Sequence, residues 1–252
     1  MLLKIGIYGY GKFGSFLAEK MADNGDFTII VTDYNDNNME YRKENISYLK
    51  EDEFLNDNFD IVVFANSINS FESVIKKIPP LFYKDTLIVD VLSVKEYPFH
   101  IFNKFLPENT EILLTHPMFG PNSFEKNNEN IFVYYPINVI HFNRANSFLD
   151  FWRNMGCTLV SIPPEEHDII TSRTQFVTHF IGRVLNELHL EETGIDTNEF
   201  KNLFSITNSI IRNNSNDLFL GLARKNKNTK KIITDLKKAL VKIESEINLE
   251  II

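Results

Sequence analysis

A glycine-rich turn directly after the first apolar segment constrains the fold of this chain most strongly. Leu2–Tyr8 predicts a strand, Gly9-Tyr10-Gly11-Lys12-Phe13-Gly14 follows it, and a helical pattern then continues through Met21. In this setting the first glycine allows a tight turn, the second lets the backbone approach a pyrophosphate, and the third lets helix and strand pack closely. A glycine-rich turn without a ligand is the alternative. The residues predicted to bind a dinucleotide are Gly9, Gly11, Lys12, Phe13 and Gly14.

An acidic residue follows the second predicted strand, Phe27–Thr32. Asp33 lies nineteen residues beyond Gly14, close to the spacing of about 20 at which an acid meets the adenosine ribose. Its carboxylate would accept hydrogen bonds from both ribose hydroxyls and repel a 2′-phosphate, and Tyr34 rather than an arginine comes next. The pattern therefore favours NAD over NADP, unless Asp33 is only a turn residue at the strand end.

Further apolar segments alternate with helical patterns, which is typical of a parallel sheet. Asn66 and Ser67 follow one of these strands, would open a helix, and are further candidates for cofactor binding. The expected fold is α/β, with a Rossmann-like, mostly parallel NAD(P)-binding domain over residues 1–162. An all-helical domain for substrate binding and dimerisation would follow over residues 163–252, beginning at Pro163-Pro164. The strands are predicted at Asp60–Ala65, Thr86–Leu92, Ile112–Leu114, Ile137–Phe142 and Thr158–Ile162.

A histidine and a serine follow two of the predicted strands. His116 comes just past Ile112–Leu114, in a turn made rigid by prolines and a glycine, Thr115-His116-Pro117-Met118-Phe119-Gly120-Pro121. Because Pro117 favours an extended backbone before it, the imidazole should point out of the carboxyl edge of the sheet, where a catalytic base would sit. Ser93 follows the preceding strand and would face the same crevice. The plainer readings are a strand-end histidine and a serine that only caps a helix.

The sequence beyond the two prolines has helical periodicity without strand patterns. Glu165–Leu190 predicts one long amphipathic helix on which Gln175, His179 and Arg183 recur every four residues and share a face. Three donor-rich groups in a row suit a substrate that bears carboxylates; a solvated helix face is the alternative. His167 is expected at the surface of the first turn. Later helices are predicted over Asn198–Arg212 and Asp217–Ile247, the last with an apolar stripe at Leu236, Leu240, Ile243 and Ile247.

Composition and charge narrow the range of partners. The 252-residue chain has a net charge of −8 and no basic stripe with interleaved aromatics, which argues against a nucleic-acid partner. Cys157 is the only cysteine, so neither an internal disulfide nor a multi-cysteine metal site is expected. No apolar segment reaches the roughly 18 residues of a membrane span, and Lys4 interrupts the opening apolar run. We therefore expect a cytoplasmic protein with no membrane partner and no metal.

Three motifs, in order after the glycine-rich turn, resemble those of the prephenate/arogenate dehydrogenase (TyrA) family, and the plant-type arogenate dehydrogenases are especially similar. They are Asp90-Val91-Leu92-Ser93-Val94-Lys95, Thr115-His116-Pro117-Met118-Phe119-Gly120-Pro121 and Gln175-Phe176-Val177-Thr178-His179-Phe180-Ile181-Gly182-Arg183. The resemblance implies an NAD(P)-binding Rossmann-like domain and a helical domain that forms a homodimer. It also implies an enzyme for the oxidative decarboxylation of a cyclohexadienol on the route to tyrosine.

The resemblance further implies roles for individual residues. His116 matches the catalytic base, and Ser93 matches the serine that hydrogen-bonds and orients the same substrate hydroxyl. One position departs from the family, because many bacterial members carry a substrate-contacting arginine in a late helix where this chain has Ser209. The implied substrate-binding positions are Gln175, His179, Arg183 and Gly120.

A position before the last predicted helix bears on the choice of substrate. Plant-type arogenate dehydrogenases carry an acid where this chain has Asn214, and a carboxylate there would attract the ammonium that distinguishes arogenate from prephenate. The neutral amide favours prephenate, converted with NAD to 4-hydroxyphenylpyruvate; arogenate is the alternative. β-Hydroxyacid dehydrogenases and pyrroline-carboxylate reductases share the outline but lack the histidine and serine motifs together. A non-catalytic NAD-binding sensor is a more distant alternative.

Overall fold

The chain folds into two compact units, residues 1–164 and 165–252. The computed structural model describes residues 2–25, 27–34, 43, 45–124, 129–213 and 216–247. Within these residues the strands all belong to the first unit, and the second unit is helical. The predicted fold class, a Rossmann-like sheet followed by helices, is confirmed. No helix in the described ranges is long and apolar enough to cross a membrane.

The described part of the first unit contains eight strands in one sheet. They are β1 (Leu3–Tyr8), β2 (Phe27–Thr32), β3 (Ser47–Tyr48), β4 (Ile61–Phe64), β5 (Leu87–Asp90), β6 (Glu111–Pro117), β7 (Asn130–Ile137) and β8 (Cys157–Ser161). Their order is β3-β2-β1-β4-β5-β6-β7-β8, and only the β6–β7 pair is antiparallel. The α-helices in the described part of this unit are α1 (Lys12–Asn24), α2 (Glu51–Leu55), α3 (Phe71–Lys77), α4 (Glu96–Phe105) and α5 (Phe142–Asn154).

Continuous apolar runs form the central strands because helices cover both faces of a parallel sheet. Every residue of β4 and β5 is buried. Trp152 of α5 is fully buried and stacks on Phe132 of β7, with the ring centroids 5.0 Å apart. Burying one side chain such as Phe132 contributes roughly 1.5–3 kcal/mol. This packing fixes the sheet whose carboxyl edge carries the candidate site.

The strand predicted at Ile137–Phe142 is wrong. The strand β7 ends at Ile137, and the helix α5 begins at Phe142. Asn138 adopts a positive φ of 52°, a turn conformation that ends the strand. The actual strand runs antiparallel to β6 and places Val133 opposite His116.

Five helices form the described part of the second unit. They are α6 (Pro164–Arg173), α7 (Gln175–Glu187), α8 (Asn198–Asn213), α9 (Asn216–Lys225) and α10 (Thr229–Ile247). Both long helices predicted here are wrong, because each is interrupted. Thr174, with φ −113° and ψ −84°, separates α6 from α7. A turn separates α9 from α10. In this turn the Asn226 side chain donates a hydrogen bond to the Asp168 carbonyl, and Thr229 Oγ1 donates one to the Ala223 carbonyl, each at 2.7 Å.

The helix α7 is packed closely against its neighbours in the second unit. A Cβ on Gly182 would lie 2.5 Å from Cδ1 of Ile210 in α8, so this crossing admits no larger residue without a shift. Phe176 stacks on Phe219 of α9 with nearly parallel rings, 6.1 Å between centroids. The orientation of α7 within its unit is therefore fixed by apolar contacts, which leaves the polar residues along it available for another purpose.

Candidate active site

The glycine-rich turn joins β1 to the N-terminus of α1. Gly9 has a φ of +105°, a conformation that favours glycine, and a Cβ on Gly14 would lie 1.8 Å from the Gly9 carbonyl oxygen. A Cβ on Gly11 would meet nothing within 4 Å, and Gly11 precedes α1 without forming a side-chain cap. Lys12 is exposed and Phe13 is half-buried. The turn thus combines close packing with an uncapped helix N-terminus, the arrangement that receives a pyrophosphate.

Asp33 lies beside this turn, just after β2. Its Oδ2 accepts a hydrogen bond from the backbone N–H of Tyr10, and the N–H of Gly9 donates to the Thr32 carbonyl at 2.8 Å. The carboxylate is therefore held at the edge of the glycine turn. The adjacent Tyr34 side chain is 89% exposed. An acid in this position meets the adenosine ribose when a dinucleotide binds a turn of this type.

Asn66 follows β4 and contacts the same turn, since a Cβ on Gly9 would lie 2.7 Å from its backbone nitrogen. Its Nδ2 donates to the Ser67 carbonyl and to Ser70 Oγ, whereas its Oδ1 is buried without a partner among the described residues. Ser67 Oγ lies 2.9 Å from Ser70 Oγ. A buried acceptor without a donor fits a cofactor that supplies one. The helix α3 begins only at Phe71, so the prediction that Asn66 and Ser67 open it is wrong.

A buried ion pair holds the segment that contains Ser93. Asp90 and Lys95 are 0% and 1% exposed, and Lys95 Nζ donates to the Asp90 carboxylate and to the Thr115 carbonyl. Burial raises the pKa of Asp90, and the Lys95 ammonium and two backbone N–H groups oppose that shift. Ser93 is half-buried. The reading of Ser93 as a helix cap is wrong, because Lys95 occupies the N-cap position of α4.

His116 lies inside β6, so the prediction that it comes just past the strand is wrong. Its side chain is 2% exposed, and it pairs in register with Val133. The parallel pairing with β5 ends at Asp90 opposite Leu114, whereas the antiparallel partner β7 extends β6 to Pro117. His116 is therefore two residues beyond the last β5–β6 pair, at the same sheet edge from which the Ser93 segment departs.

Gly120 lies in the turn after β6. Its N–H donates to Ser123 Oγ at 2.9 Å, and its carbonyl accepts from the Phe124 N–H at 3.0 Å. A Cβ on Gly120 would meet nothing within 4 Å. The open space beside this glycine is compatible with the substrate contact that the family resemblance implies.

Gln175, His179 and Arg183 lie one turn apart on α7, and each has one buried polar atom without a hydrogen-bond partner in the described part of the chain. These atoms are Gln175 Oε1, His179 Nδ1 and Arg183 Nη1. Burial, with a smaller effect of the Arg183 guanidinium, lowers the pKa of His179 to about 4, so this imidazole is neutral at pH 7. The guanidinium carbon lies 4.2 Å from the ring centroid of Phe219. A row of unsatisfied buried groups is expected where a ligand supplies the partners, so the solvated-face alternative does not hold.

His167 and Asn214 are two further residues for which the sequence makes a prediction. His167 is 2% exposed, with Nδ1 2.8 Å from Asp168 Oδ1, so its placement at the surface is wrong. The Thr171 hydroxyl also donates to the His167 carbonyl at 3.0 Å, which makes His167 part of the packing of the second unit. Asn214, the predicted substrate-selecting residue, lies outside the described residues.

The first unit defines a class of protein. Its β3-β2-β1-β4-β5-β6 order, with a glycine turn where the strand order reverses and an acid after β2, is that of a Rossmann-like dinucleotide-binding fold. A family model described as "Prephenate dehydrogenase, nucleotide-binding domain" matches residues 17–140. A second model, "TYRAAT1-like, C-terminal domain", matches residues 184–250.

Similar proteins support the same assignment. Arogenate dehydrogenase 1, chloroplastic, of Arabidopsis thaliana is 37% identical over 90% of this chain, which spans only 36% of that relative's length. Arogenate dehydrogenase 2, chloroplastic, of the same plant is 34% identical over 97% of this chain and 70% of its own length. The crystal structure of prephenate dehydrogenase from A. aeolicus, in complex with hydroxyphenyl propionate and NAD+, matches with a TM-score of 0.77 at 19% identity and covers 98% of this chain and 91% of that one. The chain belongs to the prephenate/arogenate dehydrogenase family.

Proposed function

We propose that this chain catalyses the NAD-dependent oxidative decarboxylation of a cyclohexadienol, prephenate or arogenate. The observation that carries the proposal is the row of buried, unsatisfied polar atoms on Gln175, His179 and Arg183. Substrate carboxylates supply acceptors for Arg183 Nη1 and for an N–H at His179 Nδ1, whereas a hydroxyl or ammonium group of the substrate supplies a donor for Gln175 Oε1. The charged guanidinium gives the strongest of these hydrogen bonds. The test is absorbance of NADH after each substrate is added with NAD. Absence of NADH with both substrates, despite NAD binding, would favour the non-catalytic sensor.

The glycine turn and the groups beside it would hold the cofactor. Gly11 offers the open approach, and the uncapped N-terminus of α1 at Lys12 and Phe13 offers N–H groups to the pyrophosphate. Asn66 Oδ1 provides a buried acceptor, with Ser67 beside it. NAD, when bound, accepts the hydride from the substrate.

His116 and Ser93 would handle the proton of the substrate hydroxyl. The His116 imidazole takes this proton while a hydride leaves the same ring carbon, and Ser93 accepts or donates a hydrogen bond that orients the hydroxyl. The electron pair of the breaking carbon–carboxylate bond moves into the ring, which becomes aromatic as carbon dioxide leaves. The resulting phenolate oxygen takes back the proton held by His116. Gly120, in the turn after His116, leaves room for the substrate.

Asp33 supports the choice of NAD. Replacement of Asp33 by serine keeps an acceptor for the Tyr10 N–H, and Tyr34→Arg adds a cation at a fully solvated position. The double variant should therefore move the preference from NAD towards NADP, because a phosphate is no longer repelled. The measurement is kcat/KM for both cofactors in both proteins. Equal values for the two cofactors in the unchanged protein would contradict the proposal.

The candidate substrates are prephenate and arogenate, and two observations favour different ones. Neutral Asn214 favours prephenate, whereas the two plant relatives are named arogenate dehydrogenases. A charge-assisted hydrogen bond is worth about 1.5–3 kcal/mol. Asn214→Asp should therefore shift the ratio of kcat/KM towards arogenate by roughly ten- to a hundredfold. Asn216→Asp, which adds the same charge two residues later, is the matched control; equal shifts in both variants, or none in either, would show that Asn214 does not select the substrate.

We also propose a homodimer formed through the helices of the second unit. Leu240, Ile243 and Ile247 of α10 are 66%, 56% and 59% exposed and Leu236 is half-buried, so three of the four residues of the predicted apolar stripe are exposed in the described part of the chain. A second copy that covers the stripe would remove this surface from water. Sedimentation at twice the mass of 29.3 kDa supports the dimer, and a monomer at micromolar concentration contradicts it.

A further inference from the structure

The Asp90 carboxylate contacts the backbone directly before each of the two residues proposed to act on the substrate hydroxyl. Its Oδ2 accepts a hydrogen bond from the Leu92 N–H at 3.0 Å, and Leu92 precedes Ser93. Its Oδ1 accepts from the Thr115 N–H at 3.2 Å, and Thr115 precedes His116. One buried side chain therefore ties together the two segments that carry Ser93 and His116.

Lys95 completes this network. Its Nζ donates to the Asp90 carboxylate and to the Thr115 carbonyl, and Thr115 Oγ1 donates to the Asp90 carbonyl. The β5–β6 register ends at the Asp90–Leu114 pair. Beyond that pair, the side chains of Asp90, Lys95 and Thr115 connect the two segments in place of backbone pairing.

Stability alone is a weak reason for a buried ion pair. Asp90 is 0% and Lys95 1% exposed, so both charges have lost their hydration, and this cost commonly cancels the Coulombic gain. A fully hydrogen-bonded charged network does, however, restrict the backbone to one arrangement. The contacts of Asp90 and Lys95 impose that restriction on the residues next to Ser93 and His116.

We propose that Asp90 and Lys95 are positioning residues that hold the Ser93 hydroxyl and the His116 imidazole in a fixed relation for proton transfer. The proposal rests on the proposed function for the roles of Ser93 and His116. Neither charged group has solvent access, and both act through the backbone that they hold. Misplacement of a catalytic group by about 1 Å can lower the rate by up to about 10²-fold. Partial loosening of the segments that carry Ser93 and His116 should therefore lower kcat by about tenfold.

The first test is Lys95→Met, which keeps an unbranched side chain only one heavy atom shorter and removes the ammonium. We expect kcat to fall about tenfold, with KM for NAD and substrate within about twofold of the unchanged enzyme, because the two binding regions are intact. Lys4→Met is the control, since it removes a partly exposed ion pair with Asp57 in the same unit. Equal losses of kcat in the two variants, or no loss in Lys95→Met, would overturn the proposal.

A double variant separates positioning from stability. Asp90→Asn combined with Lys95→Met removes both charges and leaves an amide oxygen to accept a backbone N–H. Thermal stability should return towards that of the unchanged protein, whereas kcat should remain low because the Thr115 carbonyl has lost the Lys95 hydrogen bond. Recovery of kcat together with stability would overturn the positioning role.

A readout without turnover distinguishes failure of this proposal from failure of the proposed function. The chain has six histidines, and the His116 imidazole resonance is the one that disappears in His116→Asn. In Lys95→Met this resonance should split or broaden, because His116 samples several arrangements, while the Lys4→Met spectrum keeps one sharp signal. If the enzyme oxidises neither substrate, the function fails but this spectrum still reports on positioning. A single sharp His116 resonance in Lys95→Met overturns the proposal.

Discussion

Replacement of His116 by asparagine should lower kcat by about 10²–10⁴-fold and change KM little. Asparagine preserves a polar side chain of similar size in β6 but cannot accept the hydroxyl proton in the transition state. The affinity for NAD should not change, because the glycine turn of the cofactor site follows a different strand, β1. Steady-state kinetics with NAD and the better substrate give the result, and unchanged NAD affinity checks the fold.

The pH dependence of kcat provides a second test of His116 as the base. If His116 is the base, kcat should rise with pH through one group in the histidine range, provided that chemistry limits turnover, and the asparagine variant should lose that rise. His179 does not produce it, because burial lowers the pKa of His179 to about 4. His100→Asn, on the exposed part of α4, is the matched control. A His116 variant with near-full kcat would refute the assignment.

The central parallel strands were predictable because they are buried on both faces, whereas the two-residue strand β3 at the sheet edge was not predicted. The strand at Phe27–Thr32 was predicted with its observed bounds, and β4 and β5 differ by one or two residues at their ends. The strand β7 was missed because it lies near the sheet edge, with burial that changes irregularly along its length. Its Pro136 pairs with Leu113 without donating a ladder hydrogen bond, so the sequence there suggests a break in the strand.

Helix ends in the second unit depend on tertiary contacts that periodicity does not reveal. Glu165–Leu190 has an unbroken helical pattern, yet Thr174 leaves the helical conformation. The turn at Asn226 is fixed by a hydrogen bond to the Asp168 carbonyl, 58 residues away along the chain. The prediction for His167 is wrong because a polar residue in the first turn of a helix is ordinarily exposed, whereas this side chain is 2% exposed and lies 2.8 Å from Asp168 Oδ1.

The candidate site was predictable from the sequence where a motif fixes the backbone conformation. It was less predictable where burial determines the hydrogen bonds and ion pairs of a side chain. The glycine turn and the placement of Ser93 after β5 follow from local sequence. His116 lies inside β6 instead of after it, because pairing with β7 extends that strand to Pro117. Asp90 and Lys95 belong to one of the motifs shared with the family, but the motif alone does not predict their ion pair. The sequence feature that points to this ion pair is two opposite charges, five residues apart, at the end of an apolar strand. Their complete burial could be learned only from the fold.

Replacement of Arg183 by methionine should lower kcat/KM for the substrate by roughly 10- to 150-fold, which corresponds to the loss of one charge-assisted hydrogen bond of about 1.5–3 kcal/mol. Methionine keeps the aliphatic part of the side chain but removes the guanidinium, which lies over the Phe219 ring and whose Nη1 is buried without a partner among the described residues. The KM for NAD should not change, because the glycine turn belongs to the first unit. Arg173→Met, an exposed position on α6, controls for the loss of charge in the same unit.

A second consequence of the Arg183 variant can be measured without substrate. The guanidinium contributes to the low pKa of His179, although burial is the larger cause. In Arg183→Met the pKa of His179 should therefore rise from about 4, and NMR titration of the imidazole measures it. A raised pKa together with an unchanged kcat/KM would mean that Arg183 is next to His179 but does not bind the substrate. Loss of kcat/KM in Arg183→Met, with normal kcat/KM in Arg173→Met, assigns a substrate carboxylate to this face of α7.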